Sequence, residues 1–368
     1  MSAQKPGKEI DLSILRENVR LIRSVVPEKT MLLAVVKADA YGHGAVQVAK
    51  AALEAGASWL AVALVKEGVA LREQGIDAPI LVLGAALPDE AADAARHQLT
   101  LAVTDPDTVR AFGEVLAPEG LSLDVHLKLD TGMSRIGARN PGEVQALLEA
   151  IRQTPALRLT GTFTHFADCD GDDMAFTRLQ LERFRQLTAL LPEGILRHCA
   201  NSAAIHRLMP EAAFDMVRMG ISLYGYPPVP TDLPLKPFMR WTTRVTYVKT
   251  LQPGDTVSYG RTYTADKPVR AATVAIGYGD GYHRAGTGKA EVIIHGKRVP
   301  VIGRICMDQL LADVSSLEDV RPGDLVTLLG RDGHAEISAE DLAAWDGTIS
   351  YEVLLAATGR VERTWLHA

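Results

Sequence analysis

Residues 31–63 read MLLAVVKADAYGHGAVQVAKAALEAGASWLAVA. The run Met31–Val36 is short and apolar throughout, as a strand covered on both faces requires. A helical pattern follows over Gly44–Ala55, and a second apolar run, Trp59–Ala63, completes the unit. Strand, helix, strand is the building block of a parallel sheet with helical crossovers. Working outward, further apolar runs lie at Ile80–Leu83, Leu99–Val103, Ser122–Leu129, Leu157–Thr164, Ile195–Cys199 and Phe214–Arg218. Helical patterns separate them at Val65–Gln74, Asp89–Arg96, Asp105–Leu116, Pro141–Gln153 and Asp173–Leu190. Another helix, Leu12–Val25, precedes the first strand with Asp11 as its expected N-cap. Eight strands with helical connections indicate a (β/α)8 barrel; an open doubly wound sheet commonly has fewer.

The texture changes after Tyr226, where Pro227, Pro228, Pro230, Pro234 and Pro237 crowd together. Such a stretch marks a domain boundary. We place a barrel domain over residues 11–230 and a mostly β domain over 231–368, with residues 1–10 grouped provisionally with the latter. In the second domain strands are expected at Arg240–Leu251, Arg270–Ile276, Ala290–Ile294, Arg298–Val301 and Asp324–Leu329, in the manner of a small barrel. Gly296–Lys297 is read as a hairpin turn, and Ser338–Trp345 as a helix capped by Ser338.

Composition narrows the function. The hydrophobic fraction of 47% and charged fraction of 23% are ordinary for a globular chain. The net charge of -6 comes from interleaved acids and bases, with no basic block for nucleic acid and no basic amphipathic stretch for a membrane surface. Cys169, Cys199 and Cys306 lack metal-ligand spacing and read as reduced thiols, so no metal is expected. The polar start Met1–Glu9 has no apolar signal core, and a cytoplasmic location is expected.

A (β/α)8 barrel carries its chemistry where the strands end. Lys37 follows the first strand within Ala34–Gly44, where desolvation can free a neutral amine for bonding to a carbonyl carbon. Taken alone, such a lysine more often reaches solvent, and Tyr41 and His43 read as ordinary loop residues. Lys128 and Arg135 put two cations near the fifth strand's end, where an anionic substrate group can bind. His165 follows the sixth strand, and a single histidine there is more often structural. Asn201 and Ser202 follow the seventh strand, and Arg218, Gly220 and Ile221 the eighth, the region where this fold usually binds phosphate.

The Ala34–Gly44 segment resembles the cofactor-lysine signature of the alanine racemases, which use pyridoxal phosphate. The resemblance continues through Val125–Gly137, Thr162–Phe166, Asn201–Ser202, Arg218–Gly225, Val257–Tyr263, Ala275–Tyr282, Gly303–Gln309 and Ser350–Leu354. It implies that Lys37 carries the cofactor and serves as the base facing D-alanine, with Tyr259 opposite as the base for L-alanine. It implies that Arg135 and the Met307 amide hold the substrate carboxylate. Tyr41, Ser202, Gly220, Ile221 and Tyr351 would bind the phosphate, with Asn201 beside them. Arg218 would meet the pyridine nitrogen, His165 would bond Arg218, and Tyr278, Cys306, Asp308 and Lys128 would line the site. Lys128, by resemblance, would carry a carbamate that orients Arg135. The resemblance also implies a head-to-tail homodimer in which Tyr259, Tyr278 and Met307 complete the other copy's site. Without it, Tyr259 and Tyr351 read as half-buried structural aromatics.

Inverting Cα requires a proton removed on one face and delivered on the other, which two opposed bases do most directly. Lysine and tyrosine ordinarily titrate near ~10.4 and ~10, so the site has to lower at least one of them. Nearby cations, including Arg135, Arg218 and any ionised His165, would favour tyrosinate and neutral lysine. Arg218 offers only donors, so the pyridine nitrogen would stay unprotonated. Competing readings are a serine or broad-spectrum racemase, a barrel decarboxylase, and a non-catalytic carrier of the cofactor. Decarboxylases of this fold pair that nitrogen with an acid, and carriers resemble a barrel alone.

Overall fold

The computed structural model describes residues 6–368 as two compact units. One comprises Ser13–Ala40 and Gly44–Lys236; the other comprises residues 6–12, Tyr41–His43 and Pro237–Ala368. The expectations for Met1–Lys5 lie outside the described residues.

The first unit is a parallel sheet of eight strands in the order expected of a (β/α)8 barrel. The strands are Met31–Val35, Trp59–Val62, Ile80–Ala85, Thr100–Val103, Leu123–Lys128, Leu157–Phe163, Leu196–His198 and Met216–Met219. All eight expected runs form strands, with ends moved by a few residues. The eighth pairs with the first, Met31 opposite Met216. Between the seventh and eighth, single bonds from Asp215 N to Arg197 O and from Arg218 N to Ala200 O, each 3.0 Å, close the ring. Leu32–Val36, Leu60–Val62 and Leu101–Val103 are buried along their length, as strands inside a helical jacket must be. The helices Pro106–Leu116 and Pro141–Arg152 begin at side-chain caps: Asp105 accepts from Thr108 N, and Asn140 from Glu143 N. The Asp89–Arg96 pattern divides into a 3-10 turn, Pro88–Glu90, and a helix, Ala91–Arg96.

In the second unit, six antiparallel strands close a small ring: Met239–Leu251, Val269–Val274, Leu310–Asp313, Lys297–Ile302, Glu291–Ile294 and Leu325–Asp332, the last pairing back onto the first. Met239–Leu251 is long enough to pair with both neighbours and shifts register between Val245 and Tyr247. The hairpin turn lies one residue earlier than the sequence suggested. Ile294 pairs with Lys297, leaving His295 and Gly296 at the tip with φ of 51° and 71°. Positive φ at both central positions is the type I′ geometry of a two-residue turn, so Lys297 belongs to the strand. Ser338 caps the helix Ala339–Asp346 by accepting from Asp341 N at 3.1 Å. The strands Gly7–Asp11 and Glu362–Leu366, which pair in parallel, and Leu310–Asp313 had no strong sequence signal. Among the described residues no helix is long and apolar enough to cross a membrane.

Candidate active site

Lys37 stands just beyond the first barrel strand, where Val36 N still bonds Ala61 O at 2.8 Å. The chain then makes a left-handed turn: residues 38–41 have φ between 50° and 54°, and Gly42 has 77°. Left-handed helix costs an L-residue roughly 1–2 kcal/mol, so consecutive residues there concentrate strain that the surroundings must enforce. Asp39 supplies part of that enforcement, accepting from Gly44 N at 2.9 Å and, through its carboxylate, from Ala45 N at 2.8 Å. Tyr41 and His43 are therefore not ordinary loop residues. Both are buried, and His43 Nδ1 lies 2.9 Å from Tyr41 O. Lys37 is half-buried, and its amine is held below the ordinary lysine range by desolvation first and by the Arg135 cation second, against the pull of Glu67.

Arg135 lies in a loop tied at its base by bonds between Lys128 O and Ala138 N, 3.0 Å, and between Asp130 N and Ala138 O, 2.8 Å. Asp130 Oδ1 accepts from Gly132 N at 3.0 Å and Ser134 N at 2.9 Å, shaping the turn. A Cβ on Gly137 would sit 2.5 Å from Lys128 O. Lys128 is buried, donates to Leu129 O at 2.8 Å, and lies 5.1 Å from the Phe163 ring centre. Burial, with Arg218 and Arg135 adding repulsion, pushes its amine down to about 7.

Arg218 is 3% exposed, and both terminal nitrogens are committed. Nη1 donates to His198 O at 3.1 Å and His198 Nδ1 at 3.0 Å; Nη2 donates to Thr164 O at 2.7 Å, Cys199 O at 3.0 Å and His165 Nδ1 at 3.3 Å. None of these bonds uses Nε. Beneath Arg218, His198 Nε2 lies 3.1 Å from Nδ1 of His126, whose own Nε2 is buried without a partner. Sequence reading missed His126 and His198. Nothing local in the apolar runs of the fifth and seventh strands distinguished a polar contact from core. Burial first, and the surrounding cations next, hold His165 well below the ordinary histidine range, so it does not join Arg135 and Arg218 as a cation.

The loops after the last two strands form a third cluster. Ser202 Oγ accepts from Gly220 N at 3.0 Å and Ser222 N at 3.2 Å. Both lone pairs of the hydroxyl are then used, and its proton must be donated elsewhere. Asn201 caps the helix Ser202–Arg207 by accepting from Ala204 N at 3.0 Å, so its side-chain oxygen is occupied in setting Ser202. Ile221 opens a short 3-10 turn directly after Gly220.

The second unit holds the remaining candidates. The Tyr41 and Tyr351 rings lie 6.1 Å apart, and burial raises the Tyr41 hydroxyl above its usual range, keeping it protonated. Tyr259, Tyr278 and Met307 are 72%, 40% and 52% exposed. Ser258 Oγ lies 2.7 Å from Arg304 O and 3.0 Å from Cys306 Sγ, fixing the residue before Tyr259. Tyr278 N bonds Cys306 O at 3.1 Å, and Gly279 N bonds Met307 O at 2.8 Å, so the two loops are tied to each other. Arg360 bridges Asp308 at 2.9 Å and Asp280 at 3.1 Å.

A barrel with a half-buried lysine, its amine held below the usual range, and a buried arginine at its strand ends, in a chain that also has a β domain, defines the class of lysine-bearing barrel enzymes. Residues 10–228 match the family model for the alanine racemase N-terminal domain, and residues 238–365 that for the C-terminal domain. The chain belongs to the alanine racemase family. It is 45% identical over 366 residues to alanine racemase of Symbiobacterium thermophilum, covering 96% of this chain and 95% of that protein. The crystal structure of alanine racemase from Bacillus anthracis with bound L-Ala-P superposes with a TM-score of 0.94 at 37% identity, covering 99% of this chain and 95% of that one. The histidine racemase of Leuconostoc mesenteroides superposes with a TM-score of 0.92 at 30% identity, covering 100% of this chain and 99% of the other.

Proposed function

We propose that this chain interconverts L- and D-alanine with pyridoxal phosphate on Lys37. The observation that carries the reading is Arg218, an always-charged donor with Nε left over from an otherwise complete set of bonds. That leftover donor suits an unprotonated ring nitrogen and opposes the acid-paired nitrogen of decarboxylases. The other residues fit the cofactor as well. Ser202 has a hydroxyl proton obliged to point away from its two amides, next to Gly220 and Ile221, and Tyr41 is a protonated donor with Tyr351 nearby. When bound, pyridoxal phosphate supplies the electron sink that lets a Cα proton leave.

The protein's own groups do the rest. Lys37, its amine held below the ordinary lysine range by desolvation and the Arg135 charge, takes or returns the proton on the face presented by D-alanine. Tyr259 serves the opposite face, its exposure in the single chain matching a residue lent to another copy. Arg135 and the Met307 amide hold the substrate carboxylate, with Tyr278, Cys306 and Asp308 around them, and His165 supports Arg218. We assign the enzyme to a homodimer in the cytoplasm; the three free thiols, Cys169, Cys199 and Cys306, suit a reducing compartment. Its product serves cell-wall synthesis as D-alanine or catabolism as L-alanine.

Incubation of the purified protein with L-alanine in deuterium oxide tests the assignment. The expected product is D-alanine with deuterium at Cα, with serine and histidine turned over more slowly. Release of carbon dioxide, faster turnover of histidine, or no isotope exchange in cofactor-loaded protein would each overturn it.

A further inference from the structure

We infer that Glu67 is a positioning residue for Lys37: its carboxylate clamps the left-handed turn that carries the lysine to the neighbouring barrel strand. The inference rests on Lys37 being the cofactor lysine. Glu67 is the third residue of the helix Val65–Glu73. A glutamate there ordinarily reaches back to the amide just before its own helix, and Oε2 does so, accepting from Leu64 N at 3.1 Å. The same oxygen accepts from Ala63 N at 2.8 Å, directly after the second barrel strand. Oε1 points the other way and accepts from Ala38 N at 2.7 Å. One side chain therefore joins the residue following Lys37 to the end of the adjacent strand.

A capping function alone accounts for the Leu64 bond but not for the one to Ala38. Ala38 is the first of the residues at φ near 50°, a conformation an L-residue does not hold unaided. A charge-assisted bond to its amide is a direct way to enforce it. The carboxylate also faces the Lys37 amine electrostatically. The charged and titratable groups acting on that amine are Arg135, which drives its proton off, Glu67, which retains it, and His165, which is neutral. Glu67 thus sets both the direction of the lysine and its proton affinity, keeping the amine from becoming too weak a base under Arg135.

Hydrogen exchange on the full-length protein, resolved to single amides, tests the clamp whether or not the protein racemises anything. Ala38, Ala63 and Leu64 should be protected and should open together, because they share one carboxylate. In Glu67→Gln one arm must present an NH2 to a backbone amide, so Ala38 or the Ala63–Leu64 pair should exchange about tenfold faster or more. The acid limb of kcat for D-alanine, which reports groups in the substrate complex, should move to lower pH as the lysine loses its acidic neighbour. A purely structural glutamate would leave that limb in place. Loop-like exchange at Ala38 in the unaltered protein overturns the proposal, and decides the matter alone if the variant does not fold. A folded Glu67→Gln variant in which either the protection or the acid limb is unchanged overturns it as well.

Discussion

Lys128 shows how far a single side chain can be moved from its solution chemistry. It is buried among cations, its amine lowered to about 7, while an unfolded chain restores it to about 10.4. Between those values the unfolded state binds the extra proton, so this group makes stability rise with pH across that window. Below about 7 the cost of burying its charge is fully present. Urea midpoints of the wild type, measured without carbon dioxide from pH 6.5 to 10, should climb relative to Lys128→Met, which lacks the titrating group; parallel curves would contradict the assignment. An amine half neutral near pH 7 is also what carbamate formation requires. Bicarbonate should therefore add the mass of carbon dioxide to the native wild type, but not to Lys128→Met, and flatten the same slope. The sequence placed Lys128 and Arg135 together but could not give burial, which sets the magnitude.

At the scale of elements, the parallel strands were legible because burial on both faces leaves unbroken apolar runs such as Leu32–Val36. The left-handed turn was not. Ala38 and Ala40 have no individual preference for positive φ and a single Asp39 between them does not announce a run; the conformation is supported by bonds to the Glu67 and Asp39 carboxylates. Parallel pairing of Gly7–Asp11 with Glu362–Leu366 was hidden for a related reason: the partners are separated by almost the whole chain, and one of the two buried positions of the first strand is a lysine, Lys8. Gly42 is where the turn is least tolerant. A Cβ there would lie 2.5 Å from Leu354 O, at φ +77°. Gly42→Ala should lower stability by about 1–3 kcal/mol in chemical denaturation and weaken retention of the cofactor, because Tyr41 shifts with it. An unchanged midpoint together with unchanged cofactor release on dialysis would show the turn to be more accommodating than its geometry implies.

At the scale of the molecule, Lys37 and Tyr259 belong to different compact units, and the proposed dimer brings them together from different copies. Two inactive proteins, Lys37→Ala and Tyr259→Ala, are expected to regain activity when unfolded together and refolded. Each mixed dimer then has one site with an intact lysine and an intact tyrosine, which caps recovery at about half the wild-type activity per dimer. A confirmed mixed dimer with no activity would place both bases on one chain. The column of polar groups inside the barrel bears on where the transferred hydrogen can come from. Arg218 only donates, so His198 must accept at Nδ1 and carry its hydrogen on Nε2; His126 must likewise accept at Nδ1, and His165 accepts from Arg218 in the same sense. One cation thus dictates a single tautomer for three histidines, all uncharged through burial. In that tautomer all three Nδ1 acceptors are already occupied, so the column offers no free base beneath the site. Isotope entering at Cα is therefore expected to arrive through the mouth.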